Sequence, residues 1–281
     1  MLMEQARSLV KSHRSLYAAY GAMRYALHRG DRVRYDLAHH WRPAEEDGLA
    51  LPPPKLRHRV GGSFKTKNFL QIGGDCASAI RQATQEAGQD LFGGRSVLDF
   101  SCGCGRVIRH FKNHPPQLEL HGCDVDGDAI SWCRNNLNSF ATFQRTGYEP
   151  PLPYPEGTFD TIYVISLFTH LDERLQFLWL AELRRVLAPR GLLVASIHGI
   201  FGQRFLPENE RRQLEETGFY FQTGQTGPMK LDGLPDYYQA AYHTEDYIRR
   251  RWSQGLDLVA FKERGMNNDQ DLMVLRKRAG S

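Results

Sequence analysis

No uninterrupted apolar run in the 281 residues approaches the ~20 needed to span a bilayer. The first residues also lack the apolar core of a secretory leader, so a cytoplasmic protein is expected. Cysteine is scarce and odd in number: Cys76, Cys102, Cys104, Cys123 and Cys133. Their spacings are not those of a paired C-x-x-C site, which argues against structural zinc and for reduced thiols, with no metal expected. No C-x-x-x-C-x-x-C occurs, which removes radical chemistry on an iron–sulfur cluster. Charge of one sign is not in excess either. The net charge is +4, and residues 1–36 supply it with seven Lys/Arg against Glu4, Asp31 and Asp36. The remainder is close to neutral, so no nucleic-acid partner is expected.

What is present is an ordinary globular composition, 24% charged and 41% apolar, in a chain long enough for one domain with additions. Residues 2–29 repeat apolar positions at helical spacing (Leu2, Ala6, Leu9, Leu16, Tyr20, Met23, Leu27). This predicts a helical arm over 1–50, either packed on the main domain or a partner, or lying on an anionic membrane surface. The run Pro52-Pro53-Pro54 ends that arm. Gly61-Gly62 and Gly73-Gly74 bracket a loop-rich piece within a covering segment 51–90, and a helix is expected over 76–90.

From residue 91 the period alternates. Strands are expected at 96–100, 118–124, 141–146, 159–166 and 190–197, with helices at 106–112, 126–137 and 172–187. Strands alternating with helices predict an α/β fold, a doubly wound parallel sheet with helices on both faces. A helix at 244–252 and strands at 256–261 and 271–275 follow. The few residues between those last strands cannot hold a crossover helix, so the pair should be antiparallel. A long connection, 199–243, carries eight aromatics and reads as a lid or substrate-binding insertion, or as an accessory core or dimer contact. Oligomeric state stays open.

The stretch Val97-Leu98-Asp99-Phe100-Ser101-Cys102-Gly103-Cys104-Gly105-Arg106 is an apolar strand ending in an acid, followed by a turn of glycines and small residues. Such a turn lets backbone approach a nucleotide-like ligand. Asp124 closes the next strand, 19 residues after Gly105 and near the ~20 expected for an acid that holds ribose hydroxyls. Asp126 opens the following helix and is the better N-cap, which leaves Asp124 for ligand. A nicotinamide site would want a third glycine three residues after Gly105, and Ile108 stands there.

The pattern Asp99-x-Ser101-x-Gly103-x-Gly105 resembles motif I of class I S-adenosylmethionine-dependent methyltransferases, with Ser101 where that family has its first glycine. Three further segments resemble the same family: Phe159-Asp160-Thr161-Ile162, Ser166-Leu167-Phe168-Thr169-His170-Leu171, and Val186-Leu187-Ala188-Pro189-Arg190-Gly191. The resemblance covers about residues 90–200 and points to the bacterial small-molecule type. It implies a Rossmann-like sheet, mostly parallel with an antiparallel C-terminal strand, and S-adenosylmethionine as cofactor. Asp99, Ser101, Cys102, Gly103 and Gly105 would surround the methionine moiety. Asp124 would hold the ribose, Val125 would pack on the adenine, and Tyr148 stands in the loop facing its amino group. Ser166 and Leu167 would close the pocket, and Phe64 and Phe69 would fold over it.

Methyl transfer to a protonated oxygen or nitrogen needs positioning and a base. His170, His198 and His243 fall where the acceptor should sit, with His198 or His243 preferred as base. Phe201, Tyr237, Tyr238 and Tyr242 are the candidate acceptor contacts in the insertion. The D/N/S-P-P-Y/F segment of amino-methylating DNA enzymes is replaced by Ser166-Leu167-Phe168-Thr169, and no Pro-Cys dipeptide exists for cytosine chemistry. Ser166 stands where metal-dependent catechol enzymes carry an aspartate. The reading is a metal-independent enzyme methylating an oxygen or nitrogen of a small molecule or glycan. The alternatives are a peptide or protein acceptor, or a non-catalytic methyltransferase-like binding or assembly protein.

Overall fold

The computed structural model describes residues 48–223, apart from 62 and 64, and residues 239–280, together with Val33 and the Glu45–Glu46 pair. The expected N-terminal helix over 2–29 lies outside the described residues, as do Phe64, Tyr237 and Tyr238.

The sheet has seven strands. They are β1 (Ser96–Phe100), β2 (Glu119–Asp124), β3 (Thr142–Arg145), β4 (Phe159–Val164), β5 (Leu187–Ile197), β8 (Leu256–Met266) and β9 (Gln270–Lys277). A separate two-stranded ribbon, β6 (Phe219–Gln222) with β7 (Ala240–His243), belongs to the insertion. The order across the sheet is β8-β9-β5-β4-β1-β2-β3. Strands β1 to β5 pair in parallel, and β9 runs antiparallel to both β5 and β8, as the short connection before it requires. Every residue of β1 is buried, which suits a central strand covered on both faces.

Helices cover the two faces. On one, α2 (Thr66–Glu86) and α3 (Gly127–Asn136) pack Ile80, Cys133 and Leu137 against Val97, Leu120 and Val194. On the other, α4 (Glu173–Val186) and α7 (Glu245–Arg251) enclose Phe100, Phe168, Trp179 and Trp252. Three of these helices begin on the side chain the sequence offers for it. Asp126 accepts from the amides of Asp128 and Ala129, Asp172 from Leu175, and Thr244 from Tyr247. Helix α1 (Pro54–Gly61) lies ahead of α2, and the insertion contributes α5 (Ile200–Gln203) and α6 (Glu208–Thr217).

Two local expectations are corrected. The segment between Gly61 and Gly73 is no loop: α2 starts at Thr66 and runs through Gly73-Gly74. A Cβ on Gly73 would stand 2.2 Å from the Arg106 carbonyl oxygen, so this glycine permits helix-to-turn contact and does not break the helix. The segment expected as a helix over 106–112 holds only a single 3-10 turn, Ile108–Phe111. Backbone there follows a left-handed turn at Gly105 and must pass close beneath α2, which leaves no room for a longer cylinder.

The two adjacent glycines therefore separate. A Cβ on Gly74 meets only His110 at 3.5 Å, an ordinary contact. Gly74→Ala should be neutral or stabilise by ~0.5–1 kcal/mol, the usual helical gain. Gly73→Ala should instead destabilise by ~1–3 kcal/mol through overpacking. Urea denaturation of both variants checks this, and equal midpoints would refute the contact argument.

Candidate functional site

The site begins at the C-terminal end of β1, where the strand order changes direction between β2 and β4. The chain turns through left-handed backbone at Ser101 (φ 67°), Gly103 (φ 53°) and Gly105 (φ 75°). Ser101 accepts a conformation that glycine adopts freely, which is a local strain. The amides of Ser101 and Cys102 both donate to the Cys123 carbonyl, at 2.8 and 3.0 Å, binding the turn to the end of β2.

Asp124 completes that tie. Its Oδ2 accepts the Gly103 amide at 2.7 Å and its Oδ1 accepts the Asp126 amide at 2.8 Å. The carboxylate thus has a structural duty the sequence did not disclose. Each oxygen keeps a second lone pair for a ligand hydroxyl. Burial pushes its pKa up, opposed by the amides of Asp126 and Gly103.

Asp99 is buried more deeply, and its Oδ2 has no hydrogen-bond partner among the described residues. Burial pushes this carboxyl up to about 8, against the neighbouring Tyr163 hydroxyl and the charge of Arg106. An orphaned acid oxygen beside a cleft fits a ligand that brings a cationic group, such as an ammonium or a sulfonium.

Asp99, Ser101, Cys102, Gly103, Asp124 and Val125 line a single cleft. Tyr148, Ser166, Leu167 and His170 line the same cleft from the loops after β3 and β4. Ser166, at φ 61°, is pinned by two partners: its amide donates to Ser196 Oγ at 2.9 Å, and its hydroxyl meets the Gln270 side chain, itself 2.7 Å from Ser196 Oγ. Two expected cofactor contacts sit elsewhere. Gly105 lies beneath the turn, where a Cβ would come within 2.6 Å of Leu137. Phe69 is core, buried with Leu51, Leu56 and Ala129 and capped by the Arg109 guanidinium at 5.7 Å. Sequence reasoning missed Arg59, Val60, Arg106 and Trp179, which also line the cleft. Arg106 follows the glycine turn directly, and that adjacency was the available signal.

The histidines separate by burial and partner. His243 is fully buried, ringed by Phe219, Tyr247 and Trp252, with Nε2 2.8 Å from Gln176 Oε1. Gln176 spends its amide protons on the Phe168 and Leu171 carbonyls, so its Oε1 accepts and His243 Nε2 donates. That makes His243 a packing and positioning group away from the cleft. His198 stands behind His170 (ring centroids 6.1 Å) and against Tyr242 (5.2 Å), also off the cleft wall. His170 alone of the three lines the cleft. Its Nδ1 is 2.7 Å from the Gln239 carbonyl, so Nδ1 carries the proton and donates it to that oxygen. Burial and the adjacent His198 hold its pKa down at about 3. Phe201 lies between the guanidinium groups of Arg204 and Arg264, at 4.6 and 4.2 Å, and does not reach the cleft.

The strand order, the lone antiparallel strand and a cleft at the end of β1 define a doubly wound α/β domain with its candidate site at the switch point of the sheet. Residues 97–191 match the family model described as "Methyltransferase domain". A demethylmenaquinone methyltransferase of Deinococcus radiodurans is 31% identical over 118 residues, 40% of this chain and 48% of that one. A fatty-acid O-methyltransferase of Mycolicibacterium smegmatis is 30% identical over 98 residues, 35% of each chain. The matches span less than half the length of either relative. In fold, the chain is similar to the solved O-methyltransferase family protein of Burkholderia thailandensis, with a TM-score of 0.52 and 14% identity, over 76% of this chain and 59% of that one.

Asp99 carries a pH signature. Its folded pKa is raised from the ordinary 3.8 to about 8, so between those limits the native state holds a proton the unfolded chain has lost. Its contribution is present in full below the lower limit and disappears as pH climbs to the upper one. Asp99→Asn should flatten the decline of ligand-free stability across pH 4–8, as read by denaturant melts at several pH values. A parallel decline in both proteins would refute the assignment.

Proposed function

We propose that this protein transfers a methyl group from S-adenosylmethionine to an oxygen or nitrogen of a small molecule or glycan. The reading rests chiefly on one observation: His170 lines the same cleft as the turn from Asp99 to Gly103. Both relatives' names support a small-molecule acceptor, and that of the fatty-acid O-methyltransferase supports oxygen as the atom methylated.

The donor supplies an electrophilic methyl group on a sulfonium when bound. Asp124 accepts the ribose hydroxyls through its remaining lone pairs, and Val125, 41% exposed at the cleft, offers an apolar face to the adenine. Asp99 would hold the cationic part of the donor, and a cation there would draw its carboxyl back toward the ionised form. His170 receives the acceptor's proton at Nε2. A base with so low a pKa suffices, because an oxygen that has gained a methyl group becomes a far stronger acid than the free hydroxyl. The imidazole stays neutral throughout physiological pH, so the rate should show no acidic limb from His170 above pH about 4.

Calorimetric titration with S-adenosylhomocysteine tests the donor site. Asp124→Ala should weaken binding by more than about tenfold, the loss of a charge-assisted hydrogen bond costing ~1.5–3 kcal/mol. An unchanged dissociation constant would sink the ribose role. Incubation with methyl-labelled donor and a cell extract tests the acceptor. Label in the small-molecule or glycan fraction is expected, and label confined to protein would overturn the acceptor class. With that product as assay, His170→Asn should lower kcat by ~10²–10⁴-fold with donor affinity unchanged.

A further inference from the structure

The cleft does not stop at the glycine turn. It continues past Arg59, Val60 and Arg106 into a second cavity, walled by Cys76 of α2, by Ser166 and His170, and by the tip of the β8–β9 hairpin. Arg106 stands at the junction and lines both spaces. It is half-buried, its Nη1 lies where a Cβ on Gly61 would come within 3.2 Å, and it makes no hydrogen bond or ion pair to any described residue.

The acids nearby do not neutralise it. Asp124 is bound to the amides of Gly103 and Asp126, Asp126 is paired with Arg59 at 2.6 Å, and Asp269 is exposed at the hairpin tip. Asp99 is a buried acid within reach of the Arg106 charge, yet it forms no hydrogen bond or ion pair with the guanidinium. Arg59 adds a second unfilled donor, since its Nε is buried without a partner. A guanidinium drawn partly out of water with no acid hydrogen-bonded to its fork is an unfavourable arrangement that a ligand anion would relieve. Its planar fork matches a carboxylate in two parallel hydrogen bonds.

We infer that Arg106 is a carboxylate clamp: its fork pairs with a carboxylate carried by a molecule bound in this cleft. The inference rests on the cleft being the donor site. Two molecules could bring the group. The donor would present the carboxylate of its amino-acid tail, and an acidic acceptor would present its own from the second cavity.

Calorimetry on the full chain separates the two. The probes are S-adenosylhomocysteine, 5′-methylthioadenosine (the same nucleoside thioether without the amino-acid tail), and benzoate and octanoate added to homocysteine-nucleoside-loaded protein. If the donor brings the carboxylate, Arg106→Met weakens S-adenosylhomocysteine by about tenfold or more and leaves 5′-methylthioadenosine unchanged. If the acceptor brings it, both nucleosides bind as before, and benzoate or octanoate loses about tenfold. Arg106→Lys, which keeps the charge and loses the fork, should fall between wild type and Arg106→Met and serves in its place if that variant does not fold. Loss of both nucleosides in parallel would overturn the clamp, because Arg106 would then merely support the turn. Affinities within twofold for all four probes would overturn it as well. Failure of the wild type to bind either nucleoside would overturn the donor reading and leave the clamp to be judged on benzoate and octanoate.

Discussion

One carboxylate holds the site together. Asp124 accepts the Gly103 amide with one oxygen and the Asp126 amide with the other, so a single side chain joins the end of β2, the turn after β1 and the start of α3. The left-handed backbone at Ser101, Gly103 and Gly105 is costly for any residue with a side chain, and that bond, with the two amides on the Cys123 carbonyl, fixes it in place. The cleft exists because the turn stands open, and the turn stands open because β2 ends in an acid.

This arrangement explains what was legible in the sequence and what was not. Strand and helix periods gave the layers, and Asp126, Asp172 and Thr244 announced their helices, because caps and alternation are local properties. The short link between the last two strands announced an antiparallel pair for the same reason. Gly73 misled because its role is set by Arg106, more than thirty positions away. The helix expected after Arg106 shrank to a 3-10 turn for a related cause: the backbone there is shaped by what lies across it.

The candidate site divides in the same way. Most of the motif I residues, and Asp124 with them, line the cleft, since spacing along adjacent strands fixes where they meet. The histidines could not be ranked from spacing. His243 is claimed by Gln176 and an aromatic shell, His198 stands behind His170, and only the fold reveals that His170 faces ligand space. Phe69 and Phe201 were aromatic residues near the right segments, yet one fills the core under the covering helices and the other is sandwiched between two guanidinium groups. Aromatic content signals burial first and ligand contact second.

The trio of Ser166, Ser196 and Gln270 has a bearing on assembly. These side chains come from the ends of β4, β5 and β9, and the bond between Ser166 and Gln270 spans 104 positions of sequence. A nascent chain that has emerged only through β5 already owns the glycine turn and Asp124. It owns Ser196, which accepts the Ser166 amide, but not yet Gln270, which bonds to both serine hydroxyls. Strand β9 must first insert between β5 and β8, a late event of high contact order. The wall of the cleft built on Ser166 is therefore completed after the wall built on the glycine turn, and the order of synthesis becomes an order of completion.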